Sequence, residues 1–375
     1  MGMTIGEARK QFAHTWSNMV YLNHAAISPM SFRVRDAVGK YLERRSLKGI
    51  EPYPWAQAML LKTKTLLGLL LHCDAQDIAF VLNTSDGLNV LASGLEWKQG
   101  DRVLLNSLEF PSNVYPFLNL ERLGVVVDFV EPTNGRITPE AIEAKITDRT
   151  KLVSLSFVQF LTGERADVEK IGAMLRARGI LFAVDAIQGI PHIAINVVRS
   201  HIDFLASGSH KWLMAVEGTG FIYVGERART LIRQASLGWT SIENPFDFTP
   251  RPEMLREGAA RYENGTLNFA AIAGLKAALE FFFEFGQAEA EARVLELSGY
   301  LIDRLSSRGV EVITPKEASA RAGIVTFEFA DAESVHKRLL EKEIVISIRN
   351  GKLRASPHFY NTEDEVRALY LALFD

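Results

Sequence analysis

Between about Ile78 and Asp185 short, β-branched runs alternate with longer helical patterns, and few folds accommodate that rhythm. The order is IAFVLN, DGLNVLASGLEW, RVLLN, SNVYPFLNLERL and VVVDFV, then a helix candidate at 138–146, KLVSLSF, a helix candidate at 168–178 and ILFAVD. Strands that are apolar along their whole length are buried on both faces, and strand–helix–strand units pack their helices onto a parallel sheet. The expectation is an α/β fold with a mostly parallel, doubly wound sheet. After Gly225 the pattern changes to a Pro-containing stretch at 244–252 and a long helix at 269–285. The tail from Leu295 continues as a helix, VEVI, IVTFEF, a helix at 333–341 and IVISI, which suits a small α+β domain.

Charge narrows the partners. Forty-two Lys and Arg stand against 45 Asp and Glu, a net charge of -3 with no long run of one sign, which argues against nucleic acid or a membrane surface. The start, MGMTIGEARKQF, lacks the apolar core of a signal peptide, and the apolar stretch 66–71 is too short to span a bilayer. A cytoplasmic protein is expected, and the sequons at Asn83 and Asn264 are read as unglycosylated. One cysteine, Cys73, excludes an intrachain disulfide and multi-cysteine zinc patterns. The eight scattered histidines give no metal site.

Chemistry concentrates in LFAVDAIQG and in SGSHKW, whose Lys211 follows Asp185 by 26 residues. Ligands of open α/β sheets bind at the carboxyl ends of the strands, so both side chains would face one crevice. For a pyridine cofactor the pairing has a reason. A carboxylate at Asp185 would keep the ring nitrogen protonated, and Lys211 supplies the amine for a Schiff base. Taken singly, each residue is more often a helix cap or a surface charge. Asn83-Thr84-Ser85-Asp86-Gly87 lies between a strand and an amphipathic helix, where free N–H groups and hydroxyls suit a phosphate. Gly-rich nucleotide, zinc-protease and serine-hydrolase motifs are absent from the sequence.

Motifs in one order from YLNHAAISP at Tyr21 to LRASPHFYNTEDEV ending at Val366 resemble the class V aminotransferases of fold type I. That family includes cysteine desulfurases, selenocysteine lyases and isopenicillin N epimerase. The resemblance implies pyridoxal 5'-phosphate as cofactor and a seven-stranded-type sheet in a large domain, residues 18–270. Residues 1–17 and 271–375 would form the small α+β domain. Lys211 resembles the Schiff-base lysine, Asp185 the partner of the pyridine nitrogen and Gln188 a contact of the ring oxygen. His210, Thr84 and Ser85 resemble the phosphate ligands, and Gln159 the residue that reaches the ring hydroxyl. Phe110 falls where an aromatic or a histidine stacks on the ring, and a ring face needs no polar partner for that contact.

Thr266 in ENGTLN resembles the residue that a partner subunit lends to the phosphate, which implies a homodimer with a shared active site. Arg354 matches the clamp for the substrate carboxylate, a role its planar fork suits. Asn23 and His24 match the segment on the substrate side.

Departures from the family pattern narrow the activity. A desulfurase needs a nucleophilic cysteine ahead of the carboxylate-binding arginine, and residues 314–353 contain none. Phe110 stands where a desulfurase has a histidine and cannot transfer protons. Gly208 replaces a phosphate-binding serine of many relatives, so either Ser207 or Ser209 compensates or that contact is lost. The implied function is that of an enzyme acting at the α-carbon of an amino acid, first an aminotransferase, with an epimerase or a cysteine or selenocysteine lyase as alternatives. A non-catalytic scaffold of the same fold is the alternative of another class. Side-chain specificity would fall to residues such as Trp239, Tyr53 and Trp55.

Overall fold

The computed structural model describes residues 2–133, 135–249 and 254–375. The end of the Pro-containing stretch, 250–252, lies outside them. Among the described residues twelve strands form three sheets: β1 (Val20–Tyr21), β2 (Ile78–Val81), β3 (Arg102–Asn106), β4 (Val126–Val130), β5 (Thr150–Ser156), β6 (Leu181–Asp185), β7 (Phe204–Gly208), β8 (Gly220–Val224), β9 (Val325–Phe327), β10 (Ile344–Val345), β11 (Ser347–Arg349) and β12 (Lys352–Ala355).

The large sheet has the order β2-β8-β7-β6-β5-β3-β4, and within it only β8 runs antiparallel to its neighbours. The mostly parallel, seven-stranded α/β sheet of the sequence reading is therefore present. Successive side chains of β6 alternate between two cores. Phe182 and Val184 join the cluster under the helices Phe32–Leu47, Tyr53–Leu71 and Phe269–Phe285, whereas Leu181 and Ala183 join the cluster that includes Leu88 and Phe117. Burial on both faces explains why these strands lack a polar alternation. The parallel strands end together at Val81, Asn106, Ser156, Asp185 and Gly208, and this edge carries the site.

A small antiparallel sheet, β11-β12-β9, packs its own core against the helices Gln287–Ser307, Ala332–Glu341 and Glu363–Phe374. Helix Gln287–Ser307 links the two units, with Ala290 and Val294 in the large core and Leu297, Leu301 and Leu305 in the small one. Helix Phe269–Phe285 rests on Phe32–Leu47 and Tyr53–Leu71, within the large core.

Three elements differ from the sequence reading. The helix expected at 112–123 is broken into Pro111–Asn113, Tyr115–Leu118 and Asn119–Leu123, because Pro111 and Pro116 lack the N–H that a continuous helix uses. VEVI contributes only a bridge from Val312 to Phe327. IVISI is divided: Ile344–Val345 pairs parallel with β1, and the strand resumes at Ser347 to pair with β12. Among the described residues no helix is long and apolar enough to cross a membrane.

Candidate active site

A cavity of about 300 Å3 opens at the carboxyl edge of the large sheet, under the hairpin of the small one. Its lining includes Thr84, Ser85, Phe110, Asp185, Gln188, His210, Lys211 and Arg354, so eight of the residues singled out in the sequence converge on one space.

Local structure places each group. Asn83 caps helix Thr84–Gly94 by accepting from the N–H of Asp86, which leaves Thr84 and Ser85 in the first turn facing the cavity. Thr84 Oγ1 accepts from the N–H of Gly208 at 2.9 Å, and Ser85 Oγ donates to Ser112 Oγ at 2.8 Å. Asp185 ends β6 and is buried, and the N–H of Ile187 donates to its Oδ1 at 3.0 Å. Burial raises its carboxyl above the ordinary range, opposed by Lys211. Lys211 is 9% exposed, and burial lowers its ammonium below the usual lysine range. Its Nζ lies 5.3 Å from the ring centroid of Phe110. Phe110 is not a core residue: it is 39% exposed and meets Phe160 edge-on. Burial also holds the half-buried His210 below its usual pKa.

Gln188 Oε1 accepts from Trp212 Nε1 at 2.8 Å and its Nε2 donates to the carbonyl of Ala25 at 2.9 Å, so the amide is fixed with one N–H to spare. Gln159 lies just behind the cavity wall. Its Nε2 donates to Glu109 at 3.1 Å, and its buried Oε1 has no donor. Arg354 is buried, donating to Ser347 Oγ at 3.2 Å and to the carbonyl of Phe160 at 2.6 Å. Burial pushes its pKa down to about 9.

Other expectations land elsewhere. His24 is enclosed, with Nδ1 against the carbonyl of Ser356 and Nε2 against the hydroxyl of Tyr360, so both ring nitrogens are committed away from the cavity. Asn23 is also outside the lining, and its neighbours Ala25 and Ala26 take that place. Ser207 and Ser209 do not compensate for Gly208. Ser209 Oγ is bound to the carbonyls of Val216 and Thr219 at 2.8 Å, and Ser207 Oγ to that of Gly208. A Cβ at Gly208 would come within 3.1 Å of Ile187, and the hydroxyl actually brought beside Ser85 is that of Ser112.

Thr266 meets the hydroxyl of Tyr53 at 2.8 Å, away from this cavity, and Tyr53 in turn packs edge-on against Trp239. Trp55 bonds the carbonyl of Gly49, so the three aromatic candidates for specificity do not line the cavity of their own chain.

Sequence reasoning missed Ser112, Arg349 and the buried Glu109, which gathers Asn106, Ser156 and Gln159 behind Phe110. Burial raises the Glu109 carboxyl. An Asn-Gly pair directly after the β-branched run IVISI, as in IVISIRNGKLR, signals a two-residue hairpin and would have placed Arg349 beside Arg354.

The residues fit the cofactor implied by the resemblance. A nearly buried carboxylate with one backbone donor suits a protonated ring nitrogen, the unpaired Oε1 of Gln159 suits a ring hydroxyl, and a helix start with three hydroxyls suits a phosphate.

Known proteins resemble this chain in sequence and in fold. The chain is 28% identical to a probable cysteine desulfurase of Methanothermobacter thermautotrophicus, over 93% of this chain and 92% of that one. It is 24% identical to an uncharacterized aminotransferase of Bacillus subtilis, over 96% and 95%. An apo cysteine desulfurase from Thermococcus onnurineus NA1 superimposes with a TM-score of 0.90 at 26% identity, covering 99% of this chain and 98% of that one. The cystine C-S lyase C-DES, in complex with cysteine persulfide, shares the fold with a TM-score of 0.90 at 23% identity, covering 96% and 98%. The sequence model of the family described as Aminotransferase class-V matches residues 20–369, and the chain belongs to that family of pyridoxal-phosphate enzymes.

Proposed function

We propose that the protein is an aminotransferase that receives an amino acid in this cavity and moves the α-proton with Lys211 alone. The observation that carries the reading is the pairing of Lys211 Nζ with the apolar ring of Phe110, 5.3 Å away. When bound, pyridoxal phosphate supplies a ring that accepts electron density from the substrate's α-carbon. Asp185 holds a proton at the ring nitrogen. Thr84, Ser85 and His210 anchor the phosphate, Gln188 and Gln159 orient the ring, and Arg354 grips the α-carboxylate. Burial keeps part of Lys211 neutral near neutral pH, so its Nζ can take a proton from the substrate's α-carbon and, on the same face, hand it to the carbon that receives the amino group.

Epimerisation needs a second proton donor on the opposite face, and Phe110, at the position that the resemblance gives to the residue stacked on the ring, offers none. Sulfur transfer to the protein needs a thiol beside the substrate. Asn350 and Gly351 join β11 to β12 directly in that region, and Cys73 lies outside the cavity with burial pushing its thiol up to about 12. The names of the relatives keep a second reading in view, cleavage of a C–S bond without a protein thiol.

The homodimer and the cytoplasmic location belong to the same proposal. Thr266, turned from its own cavity toward Tyr53, suits a residue lent to a partner. The separate core of the small sheet supports a second unit in the division into residues 18–270 and 1–17 with 271–375, whereas helix Phe269–Phe285 and, from the first 17 residues, Ala8 and Phe12 pack in the large core.

The test is to reconstitute the protein with pyridoxal phosphate, supply amino acids with a 2-oxo acid acceptor, and follow amino transfer, ammonia and sulfide. Amino transfer is expected. Release of ammonia or sulfide without transfer would move the reading to elimination, and a protein that stays colourless would end it.

A further inference from the structure

The hairpin over the cavity presents two arginines, of which the family resemblance accounted for one. Arg354 sits opposite Ser347 in the antiparallel register, and Arg349 lies two residues beyond Ser347 on the same strand. Side chains alternate in a strand, so the two guanidinium groups project from one face as diagonal neighbours, with backbones about 7–8 Å apart at most. Asn350 and Gly351 hold the turn with φ of 49° and 74°, the left-handed pair of a tight two-residue hairpin, which restricts their relative movement. Both arginines line the cavity.

Neither cation is neutralised. Among the described residues no carboxylate lies within ion-pair distance of Arg349 or Arg354. Arg354 is bound to Ser347 and to the carbonyl of Phe160, and Arg349 only to the carbonyl of Ile348 at 2.7 Å. Asp185, the one carboxylate in the lining, stands beside Lys211. Burial lowers the Arg354 pKa and the neighbouring charge of Arg349 lowers it further, so the two charges repel. Arg354 is buried and Arg349 half-buried in the cavity lining; a buried cation is stable when paired, and a fixed cation without a carboxylate partner selects an anion.

We propose that the substrate is an amino acid whose side chain ends in a second anion, a carboxylate or a sulfinate, held by Arg349 while Arg354 takes the α-carboxylate. The inference rests on the reading of this cavity as an amino-acid site. A substrate with a single carboxylate would leave one guanidinium without a partner beside Lys211, whereas a diacid pairs both.

The test is a titration of the holoenzyme with aspartate, glutamate and cysteine sulfinate against asparagine, glutamine and alanine, read by visible absorbance and by calorimetry. The acidic amino acids should bind roughly 10–100-fold more tightly than their neutral isosteres. Which of the three binds most tightly separates carboxylate from sulfinate. Arg349→Gln should abolish that preference while alanine binding stays within about threefold, and Arg349→Lys should restore part of it. Equal binding of aspartate and asparagine by the wild-type protein would overturn the proposal and leave the cofactor reading standing. So would an Arg349→Gln variant that loses alanine as strongly as aspartate, because both arginines would then grip one carboxylate. A protein that takes up no pyridoxal phosphate would fail the underlying reading instead.

Discussion

Arg354 Nη1 donates to the backbone carbonyl of Phe160 at 2.6 Å, joining residues 194 apart and fixing the small sheet to the carboxyl edge of the large one. The guanidinium is thus held by fixed acceptors, with its charge facing the cavity. Lysine cannot reproduce the planar fork, so Arg354→Lys should weaken amino-acid binding by about 1.5–3 kcal/mol. Spectral titration of the reconstituted variant with the best wild-type substrate checks this, and unchanged affinity would remove Arg354 from substrate binding.

Lys211→Ala should leave a folded protein that no longer retains yellow colour after dialysis, because the covalent tether to the cofactor is gone. Turnover should fall by at least about 10²–10⁴-fold, the usual contribution of a positioned general base. Visible absorbance before and after dialysis distinguishes this from simple loss of fold, which circular dichroism would detect.

Asp185 has a pKa raised by burial above its unfolded value, so the native, cofactor-free state binds this proton more tightly than the unfolded chain. Its stability should therefore decline as pH rises from the ordinary carboxylate range toward the elevated pKa. Lys211, with a lowered pKa, acts in the opposite direction at higher pH. Asp185→Asn should flatten the lower window while reducing turnover by about 100-fold or more. Thermal melts of cofactor-free protein across the pH range report the first effect.

His192 is fully buried, stacks on Trp212 with ring centroids 3.8 Å apart, and has no partner at either ring nitrogen. Replacement by phenylalanine keeps the stack and removes the unsatisfied groups, a gain of about 1–3 kcal/mol. Burial holds the His192 pKa well below its ordinary value. As pH falls through about 6.5 the unfolded histidine takes a proton that the native one refuses, and native stability drops. His192→Phe should accordingly raise the melting temperature at pH 8 and raise it further at pH 5. No gain at either pH would mean that His192 is solvated or bonded in solution.

Gly351 occupies the left-handed region at φ 74° in the turn that sets Arg349 beside Arg354. A β-branched residue there costs about 1–2 kcal/mol, so Gly351→Val should lower the urea midpoint. Asn350→Gly, which any left-handed turn accepts, should stay within about 0.5 kcal/mol.

Local pattern alone determined much of this protein. The alternation of buried runs and helical stretches placed β2 to β6 of the large sheet, though not β7 and β8, and helix Phe269–Phe285 has the bounds read from the sequence. Strand ends follow from the same pattern, and ligands gather there, so Asp185, Lys211, Thr84 and Ser85 were legible as neighbours in space. Periodicity reports which face of an element is buried but not what covers it. That is why IVISI could not be seen to divide between two sheets, nor His24 to face Tyr360 instead of the cavity.

Pro116 interrupts a stretch of helical apolar spacing, because its nitrogen has no hydrogen to donate to the preceding turn. Tertiary structure alone decided the remaining contacts: Ser112 on Ser85, Glu109 behind Gln159, and the small-sheet hairpin over the carboxyl edge of the large sheet. Each depends on side chains from separate segments meeting in a desolvated space, where hydrogen bonds and unpaired charges gain the strength that decides them.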